Sequence, residues 1–197
     1  MINKFISTLD TSKISTKRKK SLDKIINELK NYSNKRVDLN FICTHNSRRS
    51  QFSQVWSNLF SNFYNHHNIN SFSGGTQVTS VYKSVIEVLI SVGLIIKKNK
   101  INDVNPKYSI KHIDRSESFK IYSKLYNCKS NPSKDFIAIM NCSSADVACP
   151  YVSGSIKRIL LPYDDPKIFD GSTYEIKKYN KTNIEIASSM KYLHMNI

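Results

Sequence analysis

Long apolar runs are missing from this sequence. No stretch of its 197 residues approaches the roughly 18 consecutive apolar residues that cross a bilayer, which argues against a helical membrane span and a membrane partner. The opening residues, MINKFISTLDTSKIST, lack the apolar segment and small-residue cleavage site of a secretory signal, so a cytoplasmic protein is expected. Acidic residues are scarce, 15 against 30 lysines and arginines, leaving a formal net charge of +15. The basic residues are scattered along the chain rather than gathered into a stripe. The excess therefore reads as a solvated surface, and no nucleic acid is expected as a partner. Such a field still speeds the arrival of anions or acidic proteins. Cysteines are few and unevenly placed, at 43, 128, 142 and 149. Without a secretory signal, that pattern favours catalytic, redox or metal use over structural bridging.

The length fits one α/β domain, with no internal repeat or linker. Residues 15–33 place Leu22, Ile25, Ile26 and Leu29 at helical spacing. This predicts an N-terminal helical extension over 1–35, preceding a main domain over 36–197. RVDLNFIC, residues 36–43, reads as a buried strand, followed by the polar turn THNSRRS. In the next segment Phe52, Val55, Trp56, Leu59, Phe60 and Phe63 recur at spacings of three and four, predicting a helix. INSFSGG (69–75) reads as a second strand, and residues 80–93 as a helix closed by Gly93. Residues 95–131 are expected to form a long variable excursion with one short strand. DFIAIMNC (135–142) and IKRILLPY (156–163) read as core strands, and 173–195 as a closing helix. Alternating strands and helices imply an α/β fold with a four-stranded parallel sheet, whose ligand sites lie at the carboxyl ends of the strands. Cys43, Cys142 and the segment Tyr163-Asp164-Asp165 all fall at such ends.

The turn Cys43-Thr44-His45-Asn46-Ser47-Arg48-Arg49-Ser50 carries the chemistry. A loop between a strand and a helix N-terminus can aim successive N–H groups at one tetrahedral anion. Arg49 can grip two of its oxygens with a planar fork. Cys43 would lie beneath the same centre, where an electropositive nest favours the thiolate. Ser50 can donate a hydrogen bond to that sulfur, and Asn46 can hold the loop's unusual backbone. The loop has no glycine and no Gly-Lys-Ser/Thr, which argues against a nucleotide P-loop. Cys142 and Cys149 frame Ser-Ser-Ala-Asp-Val-Ala. By spacing alone, coincidental thiols and a redox pair both remain open, whereas zinc lacks a second ligand pair. If the segment is helical, seven residues rise about 10.5 Å, beyond the roughly 7 Å a disulfide spans. Oxidation would then have to unwind it, and Pro150 would help end it. Asp164-Asp165-Pro166 follows a strand and offers a carboxyl as general acid.

ICTHNSRRS resembles the Cys-x5-Arg-Ser loop of the low-molecular-weight protein tyrosine phosphatase superfamily. CSSADVACP followed by YDDP is similar to its thioredoxin-coupled arsenate reductases. The likeness runs from about Val37 to the C-terminus, with an apparent insertion between about 116 and 134. The resemblance implies an arsenate reductase. Cys43 attacks arsenate held by residues 44–50, and Cys142 attacks the Cys43 adduct to release arsenite. Cys149 then takes over the disulfide for thioredoxin to reduce. It implies Asp165 as the acid, with Asp164 as fallback, and no bound cofactor. The alternative on the same scaffold is a phosphatase hydrolysing phosphomonoesters through a phosphocysteine. The family's tyrosine phosphatases usually place an aromatic residue just after the Asp-Pro, where this chain has Lys167. Arg48 stands where relatives often have Cys and is expected to add charge near the mouth. Asn46, Gln54 and Ser73 match a potassium site of some relatives, although Gln54 replaces an acidic ligand; no metal is expected. Cys128 has no role in this scheme.

Overall fold

The computed structural model describes residues 1–32, 35–99, 104–111, 118–149 and 151–197. The expected end of the first long helix near Ser33, and Pro150, lie outside the described residues. The chain opens with helices α1 (Ile2–Thr8) and α2 (Thr16–Lys30), the latter capped by the Ser15 side chain accepting from the Arg18 amide. Strand β1 (Val37–Cys43) then leads into α3 (Arg49–Phe63), β2 (Ile69–Gly75) and α4 (Lys83–Ser91). An excursion follows, comprising β3 (Ile96–Asn99), β4 (Lys107–Lys111) and β5 (Ser118–Ile121). The fold closes with β6 (Phe136–Met140), α5 (Ser143–Ala148), β7 (Ser155–Leu160) and α6 (Glu175–Met195).

Strands β2, β1, β6 and β7 pair in that order, all parallel. The central strands β1 and β6 are the most apolar, as burial on both faces requires. All five residues of β6 are buried, as are all of β1 except half-buried Asp38. The sheet is flanked by helices, as the alternating pattern predicted. Because the strands are parallel, the ends of β1, β6 and β7 share one edge, which gathers Cys43, Cys142 and the Asp165 turn there.

The excursion departs from the expectation of a single strand. It forms a three-stranded antiparallel sheet in the order β3-β4-β5. Its strands have only four or five residues, and Ile110 and Ile121 are their only fully buried hydrophobics. Strands that short and charged leave almost no alternating signal. Residues 1–30 share the main core: Ile6, Leu9, Ile14, Leu22, Ile25, Ile26 and Leu29 join the cluster holding Trp56 and Tyr179. Helix α1 is a second helix within the extension expected over 1–35. No helix among the described residues is long and apolar enough to cross a membrane.

One polar cluster inside this core sets an acid limit. The Nε2 of buried His194 meets the Ser57 hydroxyl at 3.0 Å, and its Nδ1 faces that of His66 at 3.3 Å. Burial, then neighbouring His66, push His194 down to about 3, so it stays neutral in the folded chain. Between roughly pH 6.5 and that value the unfolded chain binds the extra proton, so this stability is present above pH 6.5 and lost as pH falls. Urea denaturation at pH 7 and pH 4.5 should show a loss from this residue on the order of 2 kcal/mol. A His194→Gln variant should show a correspondingly smaller loss; an unchanged pH dependence would refute the assignment.

Candidate active site

The loop from Cys43 to Arg49 turns its carbonyls outward. The Cys43 and Thr44 carbonyls accept from the amides of Thr76 and Gln77. The His45 carbonyl accepts from the Ser123 and Thr79 hydroxyls, and that of Asn46 from the Gln51 side chain. The Ser47 and Arg48 carbonyls accept from the amides of Tyr82 and of Gln51 and Phe52. Among the described residues, none of the N–H groups from His45 to Arg49 donates to the protein. Outward carbonyls leave free amides on the inner side of a tight loop, at the N-terminus of α3. Such a nest fits the oxygens of a tetrahedral anion. Asn46 sits at φ +46, a left-handed conformation that Asn tolerates better than most residues. Gly75 makes the approach possible, since a Cβ there would lie 2.8 Å from the Thr44 carbonyl and 2.9 Å from the Asn46 amide.

Asn46 also orients the hydroxyl beside Cys43. Its side-chain amide donates to the Ser50 hydroxyl at 2.9 Å, and that hydroxyl lies 3.0 Å from the Cys43 sulfur. With its oxygen accepting from Asn46, Ser50 can turn its proton toward Cys43, the arrangement that stabilises a thiolate. Asn46 Oδ1 in turn accepts from the Lys124 amide at 3.0 Å. The segment Tyr122–Tyr126 thus buttresses the loop, a role the sequence did not signal. Arg49 donates to Asp165 Oδ2 at 2.5 Å and to the Tyr163 carbonyl at 3.1 Å, while its buried Nε has no partner among the described residues. Asp165 also accepts from the Lys167 amide at 3.1 Å, which sets this carboxylate at the head of a short 3-10 turn, Pro166–Phe169. Asp164 is exposed.

The Arg48 side chain does not sit free at the mouth. It donates to Tyr179 and, at 2.5 Å, to Asp170, and stacks 4.3 Å over the Tyr82 ring. Its charge is matched there, so Arg48 brings the loop only its backbone amide. The residues considered for potassium bond to protein: Ser73 donates to Gln54 at 2.6 Å, and Gln54 donates to the Lys120 carbonyl at 3.2 Å.

Cys43, Cys142 and Cys149 belong to one small buried cluster with Ile42, Phe136, Ala138, Met140, Ala145 and Val152. All three are free thiols. Cys142 lies 3.6 Å from the Thr44 hydroxyl of the loop and, as the N-cap of α5, accepts from the Ala145 amide at 3.3 Å. Helix α5 separates it from Cys149. Arg158 ties that helix down, donating to the carbonyls of Asp146 at 2.6 Å and Cys149 at 3.1 Å and pairing with the Asp146 carboxylate. Cys128 stands apart, next to Ser130.

No protein-family model matches the sequence, nor does any curated protein sequence. Solved structures do resemble it. A low-molecular-weight phosphotyrosine phosphatase from Vibrio cholerae O395 matches with a TM-score of 0.52 at 13% identity, over 80% of this chain and 93% of that one. The arginine phosphatase YwlE, as a mutant with a phosphorylated active-site serine, gives 0.52 at 14%, over 81% and 94%. An arsenate reductase in its phosphate-binding state gives 0.49 at 15%, over 82% and 98%. These neighbours are members of the low-molecular-weight protein tyrosine phosphatase superfamily, and the first two establish that the chain has its fold.

Proposed function

We propose that this protein reduces arsenate to arsenite and is recycled by thioredoxin. The observation that carries the reading is the packing of three of the four cysteines into one cluster beside an anion-binding loop. The Cys43 thiolate attacks arsenic, an As–S bond forms, and a hydroxide leaves with a proton from Asp165, which Arg49 holds at the loop. Arg49 and the loop amides bear the negative charge of the bound oxyanion. Cys142 then attacks the Cys43 sulfur. The As–S bond breaks, its electron pair stays on arsenic as arsenite, and a Cys43–Cys142 disulfide forms. Cys149 attacks Cys142, freeing Cys43 as thiolate and leaving a Cys142–Cys149 disulfide. A thioredoxin dithiol reduces that bond and is itself oxidised.

Hydrolysis of phosphomonoesters is the second reading, favoured by the completeness of Ser50–Cys43 and Arg49–Asp165 without either further thiol. A Cys142→Ser variant separates the two. Arsenite formation with thioredoxin present should fall to background, while any hydrolysis of nitrophenyl phosphate should persist within about twofold. Full-rate arsenite turnover in that variant would eliminate the thiol cascade.

A further inference from the structure

A second basic site lies next to the loop but shares none of its residues. A cavity of about 400 Å³ is lined by Lys107, Lys120, Lys124, Tyr122 and Ser130, with Gln54 and other uncharged groups completing it and no carboxylate in its wall. Lys124 is the unusual member. It is only 5% exposed, and among the described residues no carboxylate pairs with it, with Lys107 or with Lys120. The ammonium groups of Lys107 and Lys124 lie 4.7 and 4.6 Å from the centre of the same Tyr122 ring. Two like charges therefore share one aromatic ring, with the Cys128 sulfur rather than a carboxylate as the neighbouring acid. A buried ammonium in this position is costly unless an anion joins it. Burial, and the charge of Lys107, push Lys124 down to about 8, against a counteracting pull from the Cys128 thiol. The Tyr122 hydroxyl, 2.7 Å from that of Ser130, adds polar donors to the same wall.

We infer that this cavity is a second anion site, which takes a phosphate dianion, free or as the head of a small ester, between Lys124, Lys107 and Tyr122. The anion supplies the charge partner that no carboxylate among the described lining residues provides, and Lys120 and Ser130 border it. Three lysines and two hydroxyls match the oxygens of a phosphate. The volume beyond the phosphate leaves room for an ester substituent against Phe72 and Phe119, which also line the cavity. The site does not depend on arsenate or any other substrate at Cys43, so it stands or falls separately from the proposed activity.

Calorimetry with inorganic phosphate and with phenyl phosphate tests this on the full chain carrying Arg49→Met, which silences the catalytic loop. One saturable binding event should remain. Adding Lys124→Met should weaken it about 10–100-fold, the value of a charge-assisted hydrogen bond, whereas adding Cys128→Ser should leave it in place. The side-chain nitrogen resonance of Lys124 should titrate at higher pH when phosphate is bound. Tighter binding of phenyl phosphate would assign the ester form, and equal binding the free anion. If Lys124→Met fails to fold, the exposed pair Lys107→Met and Lys120→Met gives the same reading. Absence of phosphate binding in the Arg49→Met chain, equal binding with and without these lysines, or loss of binding with Cys128→Ser would overturn the site.

Discussion

A Cys43→Ser variant is expected to lose at least about 10³-fold in kcat/KM toward arsenate and toward nitrophenyl phosphate alike. Both reactions begin with the same sulfur, so a single atom should remove both. A hydroxyl in that place is a far weaker nucleophile, and neither Ser50 nor the loop amides acts as a base to activate it. The fold should survive. Cys43 is one residue in a cluster of nine, and serine keeps a polar atom within reach of Ser50. Thermal unfolding should therefore shift by only a few degrees. Kinetics with both substrates beside a melting curve make the check, and activity above a tenth of wild type in either reaction would remove Cys43 from the nucleophile's role. The acid variant Asp165→Asn acts at a later point, on the leaving group, and should cost less, about 10²-fold.

Much of this site's geometry is legible in the sequence. The alternation of apolar strands with amphipathic helices placed Cys43, Cys142 and Asp165 at one edge, because parallel strands leave no other arrangement of their ends. The contacts of Asn46 and Ser50 follow from side-chain chemistry within eight residues of sequence. Contacts made across the chain were not readable. Arg48 is drawn to Asp170 and Tyr179, more than 120 positions away, and no local pattern announces that. The buttress formed by Tyr122, Ser123 and Lys124 works through two backbone groups, which any residue type could supply, and one short hydroxyl. Helix α5 has six residues, too few for a hydrophobic period to emerge. The excursion sheet escaped for the same reason: β3 shows no buried residue and β4 and β5 one each.

The short helix α5 carries the second large expectation. Cys142 and Cys149 bracket its six residues; seven steps of ideal helix rise about 10.5 Å, against the roughly 7 Å a disulfide tolerates. The proposed Cys142–Cys149 bond can close only when α5 unwinds. Arg158 opposes unwinding through its contacts with Asp146 and the Cys149 carbonyl. A Cys149→Ser variant should therefore stop one step later than Cys142→Ser. It should release about one arsenite per chain and then halt with Cys43 and Cys142 joined, because no thiol remains to free the nucleophile. Quenched-flow arsenite counting and non-reducing peptide mass spectrometry read this directly. An Arg158→Met change in the otherwise native chain should act in the opposite sense. It removes charge-assisted bonds worth about 1.5–3 kcal/mol each from the helical state only, so closure of the Cys142–Cys149 bond should accelerate about tenfold or more. Continued multiple turnover by Cys149→Ser would show that the helix never has to open, and the relay through α5 would have to be abandoned.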